Sequence, residues 1–477
     1  MLDLLIEGGE VIDGSGAPRW RADLGVRGGR IVALGALAGE PAHRRVDAAG
    51  LIVAPGFIDS HTHDDALVLQ HPSRQPKLLQ GVTTVVTGNC GLSLAPTAPP
   101  GAPPPLDLMS AGQPHFACFA DYLDALDAAP LAINTLALVG HSSLRAAAMD
   151  SLDRPATPVE VERMRSALAQ AWQAGAAGLS TGLYYPPARA ATAQEVIEVA
   201  RPLAGQGLIS MHLRDEGDAI DAALAEAFAI GRALDVQLVL SHHKLMGPAN
   251  HGRSLQTLAL IEAASLQQRV CLDCYPYTAS STMLLPSRVA ASKDVMISWS
   301  KVAPGAAGRL LSELAAEAGV APVTMAERLQ PGGAIYFAMA DEDLERILQH
   351  PLAMIGSDGL PGEGHPHPRL WGSFPRVLGH YARERRLLTL ETAVHKMTGL
   401  TARRFGLHGR GLIAAGQHAD LTLFDPATVL DRATYEQPEQ APIGIRWVFV
   451  AGVAAVEQGE GSGARAGRLL RRGRVTQ

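Results

Sequence analysis

A chain of 477 residues in which 47% are hydrophobic and 18% charged can bury a large core and more than one domain, and its composition is not that of a disordered protein. The formal net charge of −6, without a basic block long enough to form a phosphate-binding stripe, gives nucleic acid no support as a partner. Four cysteines, at 90, 118, 271 and 274, cannot frame so long a chain with disulfides, and no stretch approaches the ~18 uninterrupted apolar residues of a membrane span.

The chain opens with MLDLLIEGGEVIDG, where Asp3 and Glu7 interrupt the apolar run and no cation leads it, so it does not read as a signal peptide and a cytoplasmic location is expected. Short strands broken at glycines fill the first 50 or so residues, and the same rhythm returns in GLIAAGQHADLTLFDPATVL and IRWVFVAGVAAVEQG. Residues 1–54 and 405–470 are therefore expected to meet as one small β-sandwich domain beside a catalytic unit spanning 55–404. The tail from Gly461 is expected to be mobile, and the Ala/Pro-rich stretch 95–108 to be a stiff surface loop.

Between these ends, short apolar segments alternate with amphipathic ones. Strands are predicted at 51–59, 81–88, 133–140, 176–181, 207–212, 236–242, 269–275 and 352–358, and helices at 117–130, 158–174, 192–205, 217–234 and 253–267. The segment PVEVERMRSALAQAWQAG carries Pro158 at a helix entry, Glu160 and Glu162 in the first turn and Gly175 at its stop. Eight strands interleaved with helices suit an α/β fold of the closed parallel (β/α)8 TIM-like barrel type. An open doubly wound sheet is the rival, but no Gly-x-Gly-x-x-Gly follows a first strand. The long interval between strands seven and eight, 283–350, holds a helix of its own and is expected to form a lid over the C-terminal face of the barrel.

Chemistry-bearing residues fall at the predicted strand ends: His61 and His63 after strand one, Cys90 after strand two, His141 after strand three, His212 and His242 at strands five and six, Asp358 at strand eight. Residues i and i+2 of an extended segment face one side, so His61 and His63 can grip one ion, and thiolate with imidazole suits zinc. Each residue also has a bland reading. A lone His-x-His is most often surface or packing, a lone internal cysteine a small buried hydrophobe, and an aspartate in Ser-Asp-Gly a turn residue. The bland readings fail jointly, because all of these residues would have to gather at one barrel rim by accident. Cys271 and Cys274 lie within one strand without a second pair and read as core, on opposite faces.

The segments PGFIDSHTHDD (55–65), GVTTVVTGNCGLS (81–93), STGLYYPP (180–187), HLRDEGD (212–218), SHHKLMG (241–247), DCYPYTASST (273–282) and IGSDGLP with HPHPRLWGSFPRVLGHYARE (355–384) closely resemble the D-aminoacylase family. These are N-acyl-D-amino-acid deacylases of the amidohydrolase superfamily, and the resemblance runs over nearly the whole chain. It implies a tightly held zinc at Cys90, His212 and His242, and a weaker position at His61 and His63 with Cys90 able to bridge. Strand alternation allows either His242 or His243 inward, but not both.

Asp358 matches the family's catalytic carboxylate, taking a proton from the attacking water and delivering it to the leaving nitrogen. Tyr184 matches a tyrosine that helps stabilise the oxyanion. Lys244, Arg369 and Tyr275 are implied for the substrate's α-carboxylate, and Ser281 and Arg288 complete the substrate-binding set.

Many superfamily members bridge two metals with a carboxylated lysine on strand four. Here strand four reads AAGLSTG and none of the five lysines (Lys77, Lys244, Lys293, Lys301, Lys396) is near it, so a cyclic-amide hydrolase becomes the runner-up. The expected partner is a small-molecule N-acyl amino acid, with neither nucleic acid nor membrane. Met283, Leu284 and Leu285 suggest an apolar side-chain pocket, while Arg288 leaves N-acyl-D-glutamate or D-aspartate open. A scaffold with a decayed site would have lost a ligand or the aspartate, and none is lost.

Overall fold

The computed structural model describes residues 1–71, 76–109, 112–362 and 364–473. Eight parallel strands form its centre: β1 (Phe57–Asp59), β2 (Val82–Thr87), β3 (Asn134–Ala137 continued by Val139–Gly140), β4 (Leu179–Gly182), β5 (Leu208–His212), β6 (Gln237–Leu240), β7 (Val270–Cys274) and β8 (Ala353–Ile355). The circle closes between β8 and β1, where Asp358 N donates to His61 O at 2.8 Å and Thr62 bridges Gly359 in parallel. Helices α1 (Phe119–Ala128), α2 (Pro158–Ala174), α3 (Ala193–Ala200), α4 (Ile220–Leu234) and α5 (Ser254–Ser265) follow the predicted segments closely.

Local chemistry explains α2. Thr157 caps it by accepting from Glu160 N while Glu160 reaches back, and Gly175 ends it with φ 104°. Apolar side chains fill two layers. Met164, Leu168, Ile209, Leu224 and Leu272 pack between strands and helices, while Val86, Leu138, Val239, Cys271 and Met354 fill the barrel interior. Cys274 lies in the outer layer and Cys271 in the inner one, and burial pushes both thiols up to about 12, so they are neutral core residues on opposite faces as expected.

The predicted first strand, 51–59, is two strands. Ile52–Pro55 leaves the barrel and pairs with Leu421–Phe424 in a seven-stranded sheet. Gly56 makes the turn between them because Thr83 leaves no room for a Cβ there. That sheet draws strands from both chain ends. It shares an apolar cluster, including Leu4, Leu24, Val26, Val53, Leu421 and Phe449, with a four-stranded sheet built from residues 2–47.

The long interval after β7 holds an antiparallel sheet of Ala279–Met283, Gly332–Phe337 and Asp294–Ser300, with helices Leu311–Ala318 and Pro322–Arg328 over its own core. It therefore begins at the strand 279–283. Residues Asp341–Gln349, expected within it, form instead a barrel helix, α6, whose Leu344, Ile347 and Leu348 join the main core. Leu284 packs inside the insertion's own core.

Two further expectations are corrected. Up to residue 473 the tail is docked along β3: Thr135 N donates to Arg468 O at 3.0 Å, Leu470 N donates to Thr135 O at 2.8 Å, and Leu469 and Leu470 are buried (residues 474–477 lie outside the described residues). The Ala/Pro-rich stretch is no surface spacer, since Ala95, Ala98 and Leu106 are in the main core. Among the described residues, no helix is long and apolar enough to cross a membrane.

Candidate metal centre and active site

The predicted ligands and the catalytic aspartate stand at or just past the C-terminal ends of their strands, and three of these residues need an unusual backbone. Cys90 (φ 55°), His242 (φ 36°) and Asp358 (φ 50°) occupy the left-handed region, which costs ~1–3 kcal/mol each and persists only where the surroundings impose it. Around Cys90 the imposing groups are visible. Gly91 N donates to Ser180 Oγ at 2.9 Å, Ser180 Oγ bonds the Gly88 carbonyl, and the Cys90 carbonyl oxygen lies where a Cβ on Gly182 would be. The thiol-bearing turn thus lies over the end of β4, on ground that a strand-four side chain would need.

His61 Nε2 lies 3.2 Å from Cys90 Sγ and 3.5 Å from Asp358 Oδ1, and His63 Nε2 is 3.3 Å from the same carboxylate oxygen. His242 Nε2 approaches Cys90 Sγ at 3.4 Å. The ligand atoms form two overlapping sets, Cys90 with His212 and His242, and Cys90 with His61, His63 and Asp358, each within 4.8 Å. His212 is buried with no hydrogen-bond partner on either ring nitrogen, which is costly unless an ion takes that place. Thiolate, imidazole and carboxylate converging in this way fit zinc.

His243 turns away to Thr257 Oγ1 at 3.0 Å, which settles the choice within the His-His pair. His141 begins a helix after β3 and faces Glu195 at 3.4 Å, outside the cluster.

The charges are paired across the site. Burial alone would raise the Asp358 carboxyl, but Arg369, His242 and His61 hold it well below the usual carboxylate range. Burial likewise opposes the Cys90 thiolate, yet His61 and His242 hold that thiol well below its ordinary value. His63, against the pull of burial, is raised to about 9 by Asp358 and Cys90. The anionic groups are thus already favoured, and a cation entering the site would exchange with protons on His61, His63 and His242, while burial keeps His212 toward its neutral form.

The substrate-side residues ring the cluster. Lys244 Nζ and the Arg369 guanidinium both lie over the Tyr275 ring, at 5.7 and 4.7 Å. Each cation already holds a carboxylate: Lys244 Nζ donates to Glu216 Oε1 at 2.5 Å, and Arg369 Nη1 is 2.8 Å from Asp358 Oδ2. Ser281 meets Arg369 through its backbone carbonyl, at 3.3 Å, rather than through its hydroxyl. Arg288 points inward, donating from Nε to Tyr184 Oη at 2.6 Å, with Nη2 3.4 Å from Glu216 Oε2. The Tyr185 hydroxyl pairs with Thr282 Oγ1 at 3.1 Å, and burial, then the charge of Cys90, drives its phenol pKa up.

Residues 44–296 and 294–456 match the amidohydrolase family. A D-aminoacylase of Alcaligenes xylosoxydans xylosoxydans is 56% identical over 472 residues, covering 98% of each chain. The chain belongs to the amidohydrolase family, among the D-aminoacylases. An N-acyl-D-aspartate deacylase of the same organism is 53% identical over 474 residues, 98% of this chain and 95% of its own. The crystal structure of an N-acyl-D-glutamate deacylase from Bordetella bronchiseptica, complexed with zinc and a phosphonate mimic of the tetrahedral intermediate, superposes with a TM-score of 0.95 at 49% identity, covering 98% of this chain and 99% of that one.

Two residues of this amidohydrolase's site escaped the sequence reading. Glu216 stands four residues after His212, and its Oε1 lies 3.2 Å from His242 Nδ1 as well as against Lys244. The spacing from His212 within HLRDEGD is a signal that could have found it. Asp273, between the two core cysteines, points inward like Cys271 one layer below. Its Oδ1 accepts from His242 N at 2.8 Å and lies 3.4 Å from His61 Nδ1, so one oxygen orients ligands from two strands. Inward parity on β7 was the available clue.

Proposed function

We propose that this protein hydrolyses the amide bond of N-acyl-D-amino acids to a carboxylate and a free D-amino acid, with zinc held by Cys90, His212 and His242 and a weaker position at His61 and His63. The observation that carries the reading is Asp358, ionised and in contact with both histidines of the weaker position on one side and a buried arginine on the other. Bound zinc polarises the scissile carbonyl and acidifies water. Asp358 accepts the attacking water's proton on Oδ1 and hands it to the leaving nitrogen, without which the amine is a very poor leaving group. Arg369, Lys244 and Tyr275 grip the α-carboxylate, with Arg369 offering a planar fork.

The oxyanion role falls to Tyr184 or to its neighbour Tyr185, whose hydroxyls meet Arg288 and Thr282 respectively. The two sheets at the chain ends serve as a small β-sandwich domain (1–54 and 405–470) carrying the catalytic barrel (55–404), with the insertion as its lid.

For the substrate side chain, a specific observation favours an acidic group. Leu284 is turned into the insertion's core, whereas Arg288 is inward and nearly buried. A single inward cation reverses an apolar preference, which favours N-acyl-D-glutamate or D-aspartate. The decisive experiment is a zinc-quantified screen of paired N-acetyl-D and N-acetyl-L forms of Leu, Met, Glu and Asp, with a hydantoin as control. Turnover of the D series alone is expected, led by the acidic members, and R288M should shift that order toward leucine and methionine. Turnover confined to L substrates or to the hydantoin overturns the proposal.

A further inference from the structure

Below the metal ligands lies a buried lysine that the chemistry above does not use. Lys77 sits on the short helix Pro76–Leu79 between β1 and β2 and is fully buried. Its Nζ donates to Asp59 Oδ2 at 2.7 Å and to Ser357 Oγ, and lies 3.9 Å from Asp64 Oδ2. Asp59 and Asp64 bracket the His61–His63 turn in sequence, and Ser357 directly precedes Asp358.

The bonds run on from these partners to the functional backbone. Asp59 Oδ1 accepts from His61 N at 3.2 Å and from Ser357 N at 2.8 Å. Ser357 Oγ contacts His61 O at 3.3 Å and accepts from Gly359 N at 3.1 Å. One ammonium is thus the common centre of the two turns that carry the histidine pair and the carboxylate. Those turns also join through the closing bonds of the barrel, and Lys77 with its partners ties them from beneath.

The geometry points to Lys77 as a positioning residue that sets the distance between the His61–His63 metal position and Asp358. This rests on the proposed role of Asp358, but it predicts metal binding as well as turnover. A purely structural ion pair would act differently, because removing it would weaken the whole barrel and both metal positions together.

The test uses the full chain, stripped of metal and titrated with cobalt(II), in K77M and in S357A. S357A removes the Lys77 link to the Asp358 turn, together with the Ser357 Oγ contacts to His61 O and Gly359 N, and keeps the Asp59 ion pair. For K77M we expect the first cobalt equivalent, seen by its thiolate charge-transfer band, to bind as in the wild type. The second should bind at least ~10-fold more weakly, as loss of an outer-shell partner does. The kcat should fall about 100-fold with KM changed less than about threefold, as expected for misplacement near 1 Å. S357A should move both quantities the same way by about 10-fold.

If K77M folds with wild-type second-site affinity and kcat, or if both metal positions weaken equally, the assignment is overturned. Should K77M fail to fold, an S357A protein unchanged in both readouts overturns it as well. A wild-type protein without deacylase activity would defeat the proposed function, while the cobalt titration would still decide the role of Lys77.

Discussion

Arg369 Nη1 lies 2.8 Å from Asp358 Oδ2, so the cation proposed to receive the substrate's carboxylate also keeps the proton acceptor ionised. Among the groups that lower Asp358, Arg369 contributes most, against the upward push of burial. Replacing it by methionine should therefore raise the Asp358 pKa. The acid limb of the kcat/KM profile should move to higher pH, and KM should rise, since the carboxylate clamp is lost too. A pH profile of R369M that superposes on the wild type after scaling would refute the coupling.

Asp358 itself belongs to the set with His61, His63 and Cys90 and not to the Cys90–His212–His242 set. D358A should retain about one tightly bound zinc while kcat falls by ~10³-fold or more. Metal analysis beside steady-state kinetics checks this, and near-normal turnover would remove Asp358 from the mechanism.

Gly182 lies under the Cys90 carbonyl, where a Cβ would collide with backbone. G182A should displace the Cys90 turn and cost ~1–3 kcal/mol of stability, as overpacking does. The accompanying loss of zinc affinity separates this from a general packing effect. C90S, which removes the thiolate shared by both ligand sets, should lose more than the ~100-fold expected for an outer-shell partner. Isothermal titration or competition with a chelator reads both variants.

Far from the metal centre, His418 is depressed to about 4 by burial and by Arg410, Arg30 and Arg468. The folded state keeps it neutral down to that pH, whereas the unfolded chain protonates it near 6.5. Between those values the unfolded state binds more protons, so stability falls as the pH drops from about 6.5 to about 4. After screening, the slope from this one residue is at most ~1 kcal/mol per pH unit. H418Q should show a shallower decline in urea midpoint across that window than the wild type, and parallel curves would count against it.

The sequence by itself determined the alternation of strand and helix, the caps of α2, and which strand ends carry the candidate ligands. These are short-range facts: strand parity, turn residues and the recurrence of ligands at strand ends all act within a few residues. It also showed that strand four carries no lysine and that a cysteine follows strand two.

The tertiary structure decided the rest. His242 over His243 follows from a left-handed residue that breaks strand alternation. The division of 51–59 at Gly56 follows from the β2 side chain packed against it. The docking of the tail on β3 follows from backbone bonds between residues more than 300 positions apart. Glu216 beside Lys244, Asp273 beneath two histidines, and Lys77 between two turns are likewise contacts across strands. Each depends on where a closed barrel brings separate strand ends together, and no local pattern in the chain encodes that distance.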